Sequence, residues 1–269
     1  MKGNQKLQIL QYNVQKSRDV VLASLFRNPK VTEYDILAIQ EPWRNPFILT
    51  TYHPLKSHFH LTYLDDPSTR VCFYINKRID NSTWNVTYVS KDIIFLTIVD
   101  TESSRNKYIF NVYNEPGTNT LLTLSTTMQD LEPDSELVLL GDFNLHHPLW
   151  SGTYRRAGQG TTPQQLLTII EENQLHLLTV PGTPTHRWKG GQTTIDLTFA
   201  TQGLASRVCQ CKIDSELDCD SDHLQAYGKY TTPKRADPAE SQSRTVCSFC
   251  TGPCILIRVS RREPDQSGH

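Results

Sequence analysis

Apolar positions in this chain fall into short runs, and several of those runs stop abruptly on a carboxylate, an amide or a histidine. Leu7-Gln8-Ile9-Leu10-Gln11-Tyr12 is short and strand-like. Residues 35–39 and 137–140 are continuous apolar runs, the pattern of strands covered on both faces. Residues 71–75, 93–99, 108–113 and 196–200 are further strand candidates, rich in β-branched and aromatic side chains. Helical periodicity is rarer. Thr162, Pro163 and Gln165 form a capping box, followed by Leu166, Leu167, Ile169 and Ile170 on one helical face. A second helix is predicted from Ser17 through Val20, Val21, Leu22 and Leu25, stopping before Pro29. Strands alternating with helices over residues 1–230 predict one α/β domain. Residues 231–269 open on a proline-punctuated polar linker and predict a disordered tail.

Composition narrows the class only a little. At 269 residues, with 37% hydrophobic and 20% charged content, the chain can bury a full core and is ordinary for a globular protein. No apolar run approaches the ~20 residues of a membrane helix, and the first residues lack a secretory apolar region. Seven cysteines without a signal peptide argue against a disulfide framework and for an intracellular protein. The spacing Cys247-x-x-Cys250-x-x-x-Cys254 supplies three close zinc ligands where four are needed, with only the distant His269 to complete them. A net charge of -1 gives no global attraction to nucleic acid, so any such binding must rest on local basic groups and bound metal.

The strand ends carry the chemistry. Tyr12-Asn13-Val14-Gln15 follows the first run, Gln40-Glu41-Pro42-Trp43 the second, and Gly141-Asp142-Phe143-Asn144 the run at 137–140. Thr194-Ile195-Asp196 opens another strand, and Ser221-Asp222-His223 lies near the end of the domain. Polar groups at the strand ends of a packed sheet converge on one rim. Mg²⁺ takes oxygen ligands, typically one or two carboxylates, for which Glu41 and Asp222 are the candidates. The imidazole of His223 suits proton transfer near neutral pH, with Asp196 or Asp222 fixing its tautomer. Asn13, Asn144 and Tyr113 are neutral donors for a phosphate gaining charge. Each motif alone has a bland explanation as turn, surface or packing; five in this order do not.

This ordered set resembles the endonuclease/exonuclease/phosphatase superfamily across nearly all of residues 7–227. The resemblance implies a four-layered α/β sandwich of two mixed β-sheets flanked by helices. It implies a divalent cation, Mg²⁺ or Mn²⁺, at Asn13 and Glu41 with Asp222 close by. His223 would act on the scissile phosphate and be oriented by Asp196. Asp142 would activate the water or protonate the leaving oxygen, and Asn144 and Tyr113 would hold the phosphate.

Within that superfamily, Asp142-Phe143-Asn144-Leu145-His146-His147-Pro148-Leu149-Trp150 is similar to a block in the endonuclease domains of non-LTR (LINE-like) retrotransposons. The stretches at 112–116 and 40–43 share that likeness. Pro184-Thr185-His186 fits it as well, with Thr185 a candidate DNA contact. His146 and His147 sit beside a proline and a tryptophan and are read as loop packing, outside the metal site. Basic residues beside the motifs are Lys16, Arg18, Arg44, Arg155, Arg156, Arg187 and Lys189, with Arg155-Arg156 the foremost phosphate contacts. The function implied is a Mg²⁺-dependent, monomeric nuclear enzyme. It would nick double-stranded DNA and leave a 3′-hydroxyl to prime reverse transcription, without a membrane or a small-molecule cofactor. Lipid or inositol phosphate hydrolysis, or an inactive remnant, are the alternatives. No polymerase fits in the remaining sequence, which predicts a truncated or chimeric copy.

Overall fold

The core is built by strands whose alternate residues go to different apolar layers. The structure, a computed structural model, describes residues 6–47, 50–99, 106–152, 163–214, 217, 226–231 and 256–259. In chain order the first four strands are β1 (Lys6–Asn13), β2 (Ile36–Gln40), β3 (Phe59–Tyr63) and β4 (Val71–Asn76). Then come β5 (Trp84–Ser90), β6 (Ile93–Val99), β7 (Asn106–Tyr113), β8 (Glu136–Asp142) and β9 (Leu175–Leu177). A small hairpin, β10 (His186–Trp188) and β11 (Gly191–Thr193), precedes β12 (Asp196–Thr201). The last are β13 (Gln210–Ile213), β14 (Ala226–Thr231) and β15 (Leu256–Val259). One sheet runs β14-β13-β15-β1-β2-β4-β3, with β14 also paired to β1, and the other runs β5-β6-β7-β8-β12-β9. Parallel pairs, β1 with β2 and β7 with β8, lie inside mixed sheets.

The strand period of two explains the layering. Ile9, Ile36, Ala38, Phe73, Ile94, Leu96, Ile109, Val138, Leu140 and Ala200 face the space between the sheets. Their neighbours Leu10, Leu37, Ile39, Cys72 and Tyr74 turn outward, where Leu22, Leu25 and Phe26 cover them. Leu22 ends a π-turn (Arg18–Leu22) and the other two lie in α1 (Ala23–Arg27). On the second sheet, Phe110, Leu139, Leu197 and Phe199 turn outward against α2 (Thr120–Gln129), α3 (Pro148–Ser151) and α4 (Gln164–Glu172) through Leu124, Trp150, Leu166 and Ile169. A last short helix, α5 (Gln202–Ala205), places Leu204 in the central layer. Helix, sheet, sheet, helix is the four-layered α/β sandwich expected from the resemblance.

All seven strands read from the apolar runs are present. So is the helix begun by Ser17, whose side chain accepts from the Val21 amide and whose run ends at Asn28 before Pro29. The helix expected after Thr162 begins at Gln164, with Pro163 at its cap position; Thr162 itself lies outside the described residues. Cys72 and Cys211 are free thiols. Among the described residues no helix is long and apolar enough to cross a membrane. From residue 232 onward, the expected tail, only β15 is described.

Leu140 is fully buried between the sheets, whereas Leu122 on α2 is 58% exposed. Leu140→Ala is expected to cost about 2–5 kcal/mol in chemical denaturation. Leu122→Ala is expected to cost no more than about 0.5 kcal/mol.

Candidate active site

The faces that pack the two sheets together turn polar at one end, and this change makes the site. On β1 the inner face reads Ile9, Gln11, Asn13; on β2 it reads Ile36, Ala38, Gln40; on β8, Val138, Leu140, Asp142. On β12, which runs the other way, it reads Asp196, Thr198, Ala200. Polar side chains therefore meet across the sheets where the apolar filling stops. The Thr198 hydroxyl donates to Gln11 Oε1 at 3.2 Å, and Gln40 Nε2 donates to Asn111 Oδ1 at 2.6 Å. At the rim, Asn13 Nδ2 donates to Asp142 Oδ2 at 2.9 Å. These groups are buried, so their mutual hydrogen bonds offset much of the cost of removing them from water.

Register completes the cluster. Asn13 is the β-partner of Gln40, Tyr113 of Asp142, and Asp142 of Asp196. Partners across an antiparallel pair lie roughly 5 Å apart at Cβ, so the carboxylates of Asp142 and Asp196, 1% and 2% exposed, are side by side. Asp142 is further held by the Asn144 amide, which donates to Oδ1 at 3.1 Å. Asn144 Nδ2 donates to the Asn114 carbonyl at 3.1 Å, and Asn114 Nδ2 to that of Phe143 at 2.7 Å. Gly141 is required here because a Cβ would sit 2.0 Å from the Val112 carbonyl oxygen.

Backbone strain concentrates on the same rim. Gln15, Lys16, Glu41 and Asn144 all have left-handed φ angles, between +48° and +56°. They make up four of the six such non-glycine residues among the described residues. Strain of this kind persists where the surrounding structure over-determines it, and it gathers at functional sites. Here the turns are stitched together: Lys16 N donates to the Glu41 carbonyl at 2.7 Å, and Glu41 N to that of Arg70 at 2.7 Å. Glu41, only 17% exposed in its side chain, meets Lys16 Nζ at 3.6 Å, and its charge acts on Tyr113.

Tyr113 stands between these groups. Its phenol is pushed well above the ordinary tyrosine range, first by burial and then by the charges of Glu41 and Asp142. It is therefore a neutral hydrogen-bond donor at physiological pH. Arg70 lies over its ring, 4.8 Å from the centroid, and pairs with Asp92 at 2.6 Å and Glu115 at 2.7 Å.

The rim thus unites Asn13, Glu41, Tyr113, Asp142, Asn144 and Asp196. Asp222, His223, Arg155 and Arg156 lie outside the described residues. Lys16 is exposed beside Glu41, and Arg187 is partly exposed on β10. Thr185, expected at DNA, is corrected: it is fully buried, and its hydroxyl accepts from the Ile195 and Asp196 amides at 2.9 and 3.0 Å. It fixes the start of β12 and so the place of Asp196. His147 caps α3 by accepting from Leu149 N at 3.2 Å, and His146 Nδ1 lies 3.0 Å from the Thr193 hydroxyl, both loop-building contacts.

Arg70, Asp92 and Asn114 were not anticipated from sequence. The available signal for Arg70 was a lone cation directly before an unbroken buried strand. Among the described residues no three His, Cys, Asp or Glu side chains form a closed metal cage. An oxygen-donor cation site is compatible with what is present. Asn13 Oδ1 accepts the Gln15 amide at 2.9 Å, an amide oxygen is a suitable ligand for a hard cation, and Glu41 offers a carboxylate nearby.

Comparison with known proteins agrees with this geometry. Residues 107–227 match the family model described as "Endonuclease-reverse transcriptase". No curated protein matches the sequence. Among solved structures, the endonuclease domain of TRAS1, a telomere-specific non-LTR retrotransposon, aligns with a TM-score of 0.63 and 20% identity, over 82% of this chain and 96% of that one. The AP endonuclease LMAP from Leishmania major aligns with a TM-score of 0.58 and 12% identity, over 85% and 89% of the two chains. The human Nocturnin catalytic domain aligns at 0.54 and 14%, over 85% and 94%. The fold is that of the endonuclease/exonuclease/phosphatase superfamily. The family-model match carries the likeness to endonuclease–reverse transcriptases over residues 107–227, and the solved structures share the fold.

An unperturbed tyrosine ionises near pH 10. Ultraviolet titration of wild type against Tyr113→Phe is expected to show no tyrosinate from Tyr113 through that range while the protein stays folded. Because the folded phenol is raised, its contribution to stability is full below pH 10 and is lost as pH climbs toward the folded value. Tyr113→Phe should flatten that alkaline loss.

Proposed function

We propose that this chain is a Mg²⁺-dependent endonuclease that nicks double-stranded DNA and leaves a 3′-hydroxyl able to prime reverse transcription. The observation that carries the reading is the meeting of Asn13, Glu41, Tyr113, Asp142, Asn144 and Asp196 on one rim of this fold. Glu41 and Asn13 would hold the cation, with Mn²⁺ an acceptable substitute, and Asp222 would lie close to it. Bound there, the cation would supply positive charge against a phosphate that becomes more negative during attack.

The chain's own groups divide the remaining work. Asp142 is held at both oxygens by neutral donors, which leaves its carboxylate fixed for proton transfer at the attacking water or the leaving oxygen. Tyr113 and Asn144, both neutral, would donate hydrogen bonds to the scissile phosphate as its negative charge grows. Asp196 would orient His223 toward that phosphate. Lys16, Arg187, Arg155 and Arg156 would contact flanking phosphates, which makes binding salt-sensitive although the whole chain is nearly neutral. On this reading the protein would act in the nucleus, as a monomer.

The test is conversion of supercoiled plasmid to the nicked form by the full chain, with Mg²⁺ or with chelator. Glu41→Ala and Asp142→Asn are each expected to slow nicking by roughly 10²–10⁴-fold, the scale of losing an acid–base or charge-stabilising group. Primer extension from the nick should succeed without phosphatase treatment. Nicking that ignores chelator or both substitutions would overturn the proposal, and hydrolysis of inositol phosphates instead would redirect it.

A further inference from the structure

We infer that Arg70 is a positioning residue for this site: it fixes the Tyr113 hydroxyl and the Glu41 turn while itself making no contact with DNA. The inference rests on the nuclease reading above. Arg70 precedes β4 at the rim and is almost wholly buried. Its backbone carbonyl accepts from Glu41 N at 2.7 Å, and its own amide donates to the Lys91 carbonyl at 2.7 Å. Its side chain reaches three partners: Asp92 Oδ1 in the β5–β6 turn, at 2.6 Å from Nε, Glu115 Oε1 just after β7, at 2.7 Å from Nη1, and the face of Tyr113 at the end of β7. Asp92 in turn receives the Tyr113 amide at its carbonyl, 2.9 Å away. Arg70 thus joins the strained turn that presents Glu41, held by its backbone carbonyl, to both the backbone and the ring of Tyr113, held through its guanidinium.

The geometry favours a role beyond neutralising two acids. Nη2 is buried and has no hydrogen-bond partner among the described residues, an expensive state for a donor. The head is placed over the Tyr113 ring rather than where all of its nitrogens are satisfied. A planar guanidinium can stack and serve two carboxylates at once; an ammonium cannot. Removing Arg70 would free the Tyr113 ring and leave Asp92 as a buried, unpaired charge beside the phosphate site. Either change would misplace or repel the developing negative charge.

The experiment compares wild type, Arg70→Gln, Arg70→Lys and Glu115→Gln, each also in a Tyr113→Phe background. Plasmid nicking and tyrosine ring NMR are the readouts, with the Tyr113 signal assigned by its loss in Tyr113→Phe. Glu115 is 43% exposed, so its substitution keeps the test valid if Arg70→Gln fails to fold. The expected results are a fall in kcat of about tenfold for Arg70→Gln with KM for DNA unchanged, and a smaller fall for Arg70→Lys and Glu115→Gln. These losses should shrink when Tyr113→Phe is already present, the signature of coupled residues. The Tyr113 ring signal should shift and flip faster in Arg70→Gln, a readout independent of activity. Fully additive losses, a change confined to KM, or an unmoved Tyr113 signal would each overturn the inference. Absence of nicking by wild type would count against the nuclease reading alone, leaving the NMR result to decide the role of Arg70.

Discussion

The hydrogen bond from Asn13 to Asp142 joins the two sheets at the place where their shared apolar filling ends. Everything else at the site depends on that junction. Two strands from different sheets must stop in step for the bond to form, and stopping in step is what leaves Glu41, Tyr113 and Asn144 at one level. The same end of the sandwich carries two further bonds between the sheets, Gln11 with Thr198 and Gln40 with Asn111. A buried amide or hydroxyl facing apolar atoms would cost on the order of several kcal/mol. Polar residues on one sheet therefore specify polar residues at the matching level of the other, which resists any sliding of the sheets.

Strain and charge then finish what register begins. Left-handed turns at Gln15–Lys16 and Glu41 aim the ends of β1 and β2 at each other, and backbone hydrogen bonds between them hold the strain. The charges of Glu41 and Asp142 set up a negative rim, the kind of field that favours a cation and keeps Tyr113 neutral. Arg70 reinforces this from behind. It offsets the charge of Asp92 and Glu115.

Much of this was legible in the sequence because the site lies on strands with unbroken apolar runs. A run such as 137–140 fixes its strand, and the period of two then fixes which way Asp142 points. The helix after Ser17 was legible through its cap and its stop. Less visible were the partly exposed edge strands β3 and β5, where apolar and polar residues mix. So was α2, built largely of Thr, Ser and Leu with weak helical preference. Thr185 misled for a different reason. A threonine beside a histidine reads equally well as a surface contact or a buried clamp, and only the register of β12 tells them apart. Arg70 was hidden because its partners, Asp92, Tyr113 and Glu115, are far from it in sequence and reach it only through sheet pairing.

The sheet junction creates an oxygen-donor rim, which on the proposed reading holds a divalent cation. Manganese binding followed by electron paramagnetic resonance tests it without reference to any substrate. One Mn²⁺ per chain, displaced by Mg²⁺ and broadening the Tyr113 ring signal, is predicted for the wild type, with binding weakened at least tenfold in Glu41→Ala and in Asn13→Ala. Mn²⁺ binding that is absent, or that survives both substitutions unchanged, would contradict the account.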